Sequence, residues 1–162
     1  MKYYEAPANI YEKYPNCNNT GDCIFLAGSI TGASDWQTPM IEKLLPYYHV
    51  FNPRRKNFDV TKPEMEREQI EWEYEALDYC KTVMFYFAPE SLAPITLFEY
   101  GKMLMSKKML FVCVHPEYKR KNDVLIQTDL ENEFLAERIC FDLDTLAEQI
   151  INHKKAVDKY RK

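Results

Sequence analysis

Short apolar segments alternate with helical segments along most of the chain, and this alternation limits the possible folds more than any other feature. We predict strands, each nearly continuous in apolar residues, at residues 23–27, 50–51, 82–87 and 109–114. We predict helices at residues 36–48, 63–80, 94–106 and 143–159. Short buried strands separated by helices are typical of a parallel sheet covered on both faces. The sequence therefore predicts an α/β fold.

The two ends of the chain are less regular. Residues 1–21 are polar, and we assign them to an N-terminal arm with a short edge strand near residues 3–6. Residues 22–162 should form a single α/β domain, as expected for a chain of this length. Toward the C-terminus we predict a basic loop, a short helix and a last short strand at residues 115–122, 123–132 and 138–141.

The composition argues against several classes of protein. A net charge of −4 does not favour binding to a nucleic acid polymer. No run of 18 apolar residues occurs, and the first residues lack the apolar core of a signal peptide, so we expect neither a membrane span nor export. Five cysteines without a C-x-x-C pair favour a reducing, cytoplasmic compartment, with Cys80 and Cys113 as core residues. The three histidines lack metal-ligand spacing, and we expect no metal or cofactor.

The loops after the first three regular strands are the expected place for a ligand, because ligands of parallel α/β sheets bind beyond the carboxyl ends of the strands. The loops that should meet there are residues 28–35, 52–59 and 88–94.

Four residues of the first loop and the following helix are candidates for substrate binding. Gly28 lets a ligand approach the backbone closely, and Ser29 supplies a hydroxyl group. Trp36 and Gln37 stand at the predicted helix start, which Asp35 should cap. Trp36 could stack on a flat base or pack in the core, and its spacing does not separate the two.

The second loop, N-P-R-R, adds Asn52, Arg54 and Arg55 to the candidates. Paired arginines suit planar or anionic groups, which they bind by bidentate hydrogen bonds or by stacking. An ordinary solvated basic loop fits the same residues, since two lysines are nearby.

The helix at 63–80 carries two polar candidates, Gln69 and Glu73, at the N-terminal half of its apolar stripe. In a right-handed crossover this half lies near the carboxyl ends of the strands, so both side chains should face the pocket. The alternative places Glu73 outward, on an acidic solvated face with Glu71 and Glu75.

Glu99 is the only charged residue between Leu92 and Gly101. An ionised carboxylate in apolar surroundings is costly unless it is paired or hydrogen-bonded, so such a residue often has a function. It could also mark the solvent side of an amphipathic helix. Facing the same pocket, Glu73 and Glu99 would suit the cleavage of a glycosidic bond.

The chain resembles the nucleoside 2-deoxyribosyltransferase-like proteins. The resemblance rests on F-L-A-G-S-I-T-G, D-W-Q, N-P-R-R, Q-I-E-W-E and P-I-T-L-F-E-Y-G, in this order, and covers roughly residues 23–115. It implies a flavodoxin-like three-layer sandwich with a central, mostly parallel sheet of about five strands. It also implies exchange of the base on 2'-deoxynucleosides through a covalent deoxyribosyl-glutamate.

The resemblance suggests roles for individual residues. Glu99 matches the family's nucleophile, and Glu73 falls near an acidic residue that members use around the base. Ala93 stands where the better-studied transferases carry an aspartate. Members are usually homo-oligomers that borrow a residue from a neighbouring subunit near its C-terminus, for which Asn122 and Asn132 are the candidates here.

The hypothesis from the sequence is a cytoplasmic deoxyribosyltransferase of nucleotide salvage. Its partners would be a 2'-deoxynucleoside and a free nucleobase, without a nucleic acid polymer or a membrane, and it would form a homo-oligomer. An N-glycosidase acting on 2'-deoxynucleoside 5'-monophosphates and a non-catalytic nucleotide-binding module are the alternatives.

Overall fold

A five-stranded, all-parallel sheet runs through the part of the chain that the computed structural model describes, residues 1–8, 20–59 and 61–161. Its strands are β1 (Tyr3–Glu5), β2 (Cys23–Gly28), β3 (His49–Asn52), β4 (Thr82–Phe87) and β5 (Met109–Val114). The helices in these ranges are α1 (Gln37–Leu44), α2 (Pro63–Tyr79), α3 (Pro94–Leu104), α4 (Lys121–Glu131), α5 (Glu133–Ala136) and α6 (Leu143–Tyr160).

The strands lie in the order β1-β3-β2-β4-β5. From β3 to β5 this is the flavodoxin-like arrangement, in which the chain moves outward to one side after β2 and to the other side after β4. β1 extends the sheet beyond β3, with Tyr4 opposite Phe51, so the edge strand expected near residues 3–6 is present. Residues 9–19, most of the expected arm, lie outside the described residues, and the boundary at residue 22 remains a prediction.

The helices cover both faces of the sheet, which confirms the three-layer sandwich. On one face the core contains buried residues of α2 and α3, namely Trp72, Ala76, Leu77, Tyr100 and Met103. On the other face it contains buried residues of α1 and α6, namely Met40, Leu44, Leu146 and Ile150. Because both faces are covered, all six residues of β4 are buried, as their continuous apolar pattern predicts.

Local signals in the sequence set the helix starts. Pro63 and Pro94 stand in the first turn of α2 and α3, where a missing N–H costs nothing. Asp142 caps α6, its Oδ1 accepting a hydrogen bond from Thr145 N at 2.7 Å. Trp36 is the N-cap residue of α1, and the predicted cap Asp35 stands one residue before it, where its side chain accepts from the N–H and the hydroxyl of Thr38.

Three elements differ from the prediction. α1 ends at Leu44 rather than at residue 48, because the chain turns at residues 45–47, around Pro46. The strand expected at 138–141 is reduced to a single parallel bridge between Cys140 and Cys113, because the cap of α6 follows at Asp142. The short helix α5 has no counterpart in the prediction, since four residues are too few for a periodic pattern.

Ala93, the residue before α3, has a left-handed backbone with φ 44° and ψ 59°. An L-residue with a Cβ pays about 1–2 kcal/mol for this conformation. Gly32 in the first loop has φ 76° and carries no such penalty.

We predict that Ala93→Gly raises the free energy of unfolding by about 0.5–1 kcal/mol, because relief of the strain exceeds the added entropy of the unfolded chain. The converse change, Gly32→Ala, should lower the free energy of unfolding by about 1 kcal/mol, since an added Cβ there meets no atom within 4 Å and only the backbone is affected. Urea denaturation of both variants checks this, and shifts in the same direction would contradict it.

Candidate active site

A pocket of about 610 Å³ opens at the carboxyl ends of β2 and β4, between α2 and α3. It lies where the strand order reverses, the place that the fold predicts for a ligand. All three loops that were expected to meet contribute to its wall. The lining residues of these loops are Gly28, Ser29, Ile30, Thr31, Pro53, Arg55, Phe58, Ser91, Ala93 and Pro94.

Glu99 reaches this pocket from the second turn of α3. Glu99 is only partly exposed and lines the cavity, so the interpretation of Glu99 as a solvent-side residue does not hold. Its neighbour Phe98 is 73% exposed. Burial, together with the charge of Glu73, raises the pKa of Glu99 to about 8, and the charge of Lys102 partly opposes this rise.

Glu73 faces the same pocket from α2, whereas Glu71 and Glu75 are exposed. Its Oε1 accepts a hydrogen bond of 2.8 Å from Gln69 Nε2, one helical turn earlier. Burial raises the pKa of Glu73, and the hydrogen bond from Gln69 partly offsets this effect. The pocket thus holds two carboxyl groups whose proton affinities are both raised.

Two buried polar atoms in the pocket wall have no hydrogen-bond partner among the described residues. They are Ser29 Oγ, in a residue 2% exposed, and Gln69 Oε1, in a residue 8% exposed. A buried polar atom left unsatisfied costs about 1–3 kcal/mol, so such atoms need an explanation. Because both residues line the pocket, a polar ligand is a candidate partner for these two oxygen atoms.

The two arginines of the second loop have different surroundings. Arg54 donates from Nε to Gln37 Oε1 at 2.8 Å, and its Nη2 donates to the carbonyl oxygens of Ile30, Ala33 and Ser34. Arg55 lines the pocket and donates to Glu68 Oε2 at 2.9 Å. Arg54 therefore ties the first loop to the end of β3, and only Arg55 borders the cavity.

Trp36 lies behind the pocket wall rather than in it. Its side chain is 3% exposed, packs edge-on against Tyr86 and donates from Nε1 to the Ser29 carbonyl oxygen at 2.8 Å. A Cβ on Gly28 would stand 2.6 Å from Trp36 Cζ2, so the ring needs glycine at this position. Of the two alternatives for Trp36, the structure shows packing in the core.

Gln37 and Asn52 are also buried behind the wall. Gln37 joins Arg54 to the Ser29 carbonyl oxygen, and Asn52 Oδ1 accepts from the Arg54 N–H at 3.0 Å. Asn52 also donates to the Tyr3 hydroxyl group, which links β1 to this network. Of the predicted site residues, the structure brings Gly28, Ser29, Arg55, Gln69, Glu73 and Glu99 to the pocket, and it places Trp36, Gln37, Asn52 and Arg54 behind it.

Lys102 is a pocket residue that the sequence reasoning missed. It stands three residues after Glu99, on the same side of α3, and its Nζ lies 4.2 Å from the centre of the Tyr74 ring on α2. The spacing i, i+3 from Glu99 was the available signal.

The mouth of the pocket has an apolar rim, which we define as Phe58, Ile70, Tyr74, Ile95 and Phe98. All five line the cavity and are exposed. Asn122 and Asn132, the candidates for a residue shared between subunits, are exposed on α4 and at the cap of α5, outside the cavity lining.

Neither a membrane span nor a metal centre occurs in the described ranges. No helix there is long and apolar enough to cross a membrane. No group of three or more histidine, cysteine, aspartate or glutamate side chains in the same ranges is placed to hold a metal ion.

Two comparisons with known proteins bear on the family of the chain. A search of curated proteins found no match. The family model described as nucleoside 2-deoxyribosyltransferase like matches residues 22–118, more than half of the chain. The matched region contains the three loops, both carboxylates and Gln69. The chain therefore belongs to the nucleoside 2-deoxyribosyltransferase-like family.

Proposed function

We propose that this protein transfers the 2-deoxyribosyl group between nucleobases, with Glu99 as the nucleophile and Glu73 as the proton donor. The observation that carries the proposal is the pair of partly buried carboxyl groups, on neighbouring helices, in a pocket at the topological switch point. The family match supports the class of reaction.

In the first half of the reaction, a Glu99 oxygen bonds to C1' from the face opposite the base. The bond from C1' to the base nitrogen breaks, and the base takes up a proton from Glu73. A second base attacks the glycosyl-enzyme in the reverse sequence, so that two inversions give net retention. A sugar without a 2'-hydroxyl group supports the positive charge at C1' in both steps.

The raised pKa values allow the two carboxyl groups to hold one proton between them near neutral pH. The reactive form carries this proton on Glu73, which leaves Glu99 ionised. Lys102 favours that form, because its charge lowers the pKa of Glu99. A carboxylate held in low dielectric is poorly solvated and correspondingly reactive once ionised.

The charges of the pocket favour a nucleoside over a 5'-monophosphate. Its lining includes the carboxylates of Glu66, Glu73 and Glu99 and the cations of Arg55 and Lys102. Arg55 already pairs with Glu68, and Arg54 is bound to the first loop. With one proton shared by Glu73 and Glu99, and with Arg55 paired with Glu68, the lining offers a phosphate dianion no net positive charge.

The apolar rim supports transfer rather than hydrolysis, and it supports self-association. A flat base covers apolar side chains readily, and a base held there occupies the space from which water would attack. Exposed apolar side chains such as Ile95 and Phe98 also favour a homo-oligomer. A role in nucleotide salvage and a cytoplasmic location complete the proposal.

The first prediction from the proposed function concerns the covalent intermediate. Intact protein incubated with a 2'-deoxynucleoside and no acceptor base should gain one deoxyribosyl group by mass spectrometry, and Glu99→Gln should gain none. Circular dichroism of the variant controls for folding. Base exchange at the normal rate by folded Glu99→Gln would exclude Glu99 as the nucleophile.

An assay of base release and base exchange separates the transferase from the hydrolase and from a non-catalytic module. It compares 2'-deoxycytidine with its 5'-monophosphate, each with and without an acceptor base. Exchange with the nucleoside supports the transferase. Base release from the monophosphate alone, independent of acceptor, identifies the hydrolase. Binding without base release over long incubation identifies a non-catalytic module.

The second prediction concerns stability. The pKa of Glu99 is about 8 in the folded chain against an ordinary value of 4.5, so the folded state retains a proton that the unfolded chain releases between these pH values. The free energy of unfolding should therefore fall as pH rises from about 4.5 to 8, by at most about 5 kcal/mol from this group.

Glu99→Gln removes this loss, so its melting temperature should exceed that of the natural chain by a margin that grows over the same pH range. The matched control is Glu75→Gln, an exposed glutamate of α2, which should leave the pH dependence unchanged. A difference between Glu99→Gln and the natural chain that is independent of pH would contradict the assignment.

The third prediction separates the acid from the nucleophile. Glu73→Gln should lower kcat for ordinary 2'-deoxynucleosides about 10²–10⁴-fold, because the departing base loses its proton donor. It should change the rate far less for N7-methylated 2'-deoxyguanosine, whose cationic base leaves without protonation.

With this N7-methylated substrate, the pH dependence of the rate should reflect the ionisation of Glu99 alone. In the natural chain the rate should rise with pH up to about 8, as Glu99 ionises. In Glu73→Gln the rise should occur at lower pH, because the charge that raises the pKa of Glu99 is gone. Equal losses on both kinds of substrate would show that Glu73 is not the acid.

A further inference from the structure

The amide of Gln69 has its orientation fixed by the backbone of the second loop. Its Nε2 lies 2.7 Å from the Pro53 carbonyl oxygen, which can only accept a hydrogen bond. The same Nε2 donates to Glu73 Oε1 at 2.8 Å. The nitrogen is therefore identified by its partners, whatever the protonation state of Glu73, and the amide oxygen occupies the other position.

This amide oxygen is a buried acceptor in the pocket wall without a partner among the described residues. Its residue is 8% exposed, so solvent satisfies it poorly. Both donor hydrogens of the amide are used within the protein, by Pro53 and Glu73. Gln69 can therefore offer a ligand only an acceptor.

Glu73 stands beside this acceptor, one turn further along α2. One of its oxygens accepts from Gln69, and in the proposed reaction the carboxyl group carries the proton. Burial favours that protonated form. The wall then presents an acceptor and an acid side by side.

Resting on the proposed function, we propose that Gln69 and Glu73 together recognise a nucleobase in which a ring nitrogen adjoins an exocyclic amine, as in cytosine and adenine. Gln69 Oε1 accepts from the amine, and Glu73 donates to the ring nitrogen. The site thus prefers 2'-deoxynucleosides of amino bases, and Gln69 is a specificity-determining residue.

The proton balance favours these bases over the oxo bases. With cytosine, Glu99 bonds to C1', the bond from C1' to N1 breaks, and its electron pair moves into the ring. The Glu73 proton goes to N3, so that neutral cytosine and an ionised Glu73 result. Uracil and hypoxanthine already carry hydrogen on the corresponding nitrogen. They would offer Glu73 only a carbonyl oxygen, which is a weaker base.

The test is a comparison of three substrates that differ only at the amine edge. These are 2'-deoxycytidine, its analogue with hydrogen in place of the 4-amino group, and 2'-deoxyuridine. The natural chain should prefer 2'-deoxycytidine to both others by about 10- to 100-fold in kcat/KM, with a common acceptor base.

Gln69→Met removes the acceptor while preserving length. It should lower kcat/KM for both substrates, because Glu73 also loses its hydrogen-bond donor. The loss should be larger for 2'-deoxycytidine than for the analogue without the amine, so that the ratio of kcat/KM for these two substrates approaches one. If Gln69 had a purely structural role, the substitution would lower kcat/KM for both substrates by the same factor. Glu71→Gln, on the exposed side of α2, is the matched control and should keep the natural ratio.

The outcomes are distinguishable. A ratio that is the same in Gln69→Met and the natural chain overturns the role of Gln69. Equal use of 2'-deoxycytidine and 2'-deoxyuridine by the natural chain overturns the preference for amino bases. This second comparison needs no variant, so it decides the preference even if Gln69→Met fails to fold. Absence of base release from every substrate overturns the proposed function itself.

Discussion

The carboxyl groups of Glu73 and Glu99 stand close enough across one pocket that the charge of the first raises the pKa of the second. Two neighbouring side chains partly offset this repulsion. The charge of Lys102 lowers the pKa of Glu99. The hydrogen bond that Gln69 donates from the preceding turn of α2 lowers the pKa of Glu73. Neither contact removes the cost of burial, and the pair keeps a high affinity for a proton. Glycoside chemistry uses such a pair, in which one group attacks while the other protonates.

The scaffold positions this pair by means of groups behind the cavity wall and at the start of α3. Arg54 fastens the first loop and the first residue of α1 to the end of β3 with four hydrogen bonds, and Trp36 closes the gap behind Gly28. The left-handed Ala93 sets the entry to α3, the helix that carries Glu99. Strained residues commonly gather beside functional groups, where the surrounding structure over-determines their conformation.

Sequence patterns predicted most of the fold because its signals are local. The continuous apolar residues of β4 and the prolines that open α2 and α3 required no knowledge of distant contacts. The inward direction of Glu73 followed from its place on the apolar stripe. The roles of Arg54 and Arg55 could not be separated, because two adjacent arginines on an extended segment leave on different sides and only tertiary contacts decide which side faces the cavity. The sequence also could not predict that the Gln69 amide oxygen lacks a partner, because the carbonyl group that orients the amide belongs to Pro53, 16 residues away.

β1 has a consequence for the solubility of the protein. An uncovered outer strand presents unpaired backbone groups that can recruit a strand of another molecule. Here the first residues of the chain cover β3, with Val50 donating to the Lys2 carbonyl oxygen and Ala6 to that of Asn52. This cover is only three residues long, and the Tyr3 hydroxyl group anchors it to Asn52. The first six residues thus cover β3 and leave only a very short outer strand for intermolecular pairing. At the same edge, Asn52 supports the loop that leads to Arg54.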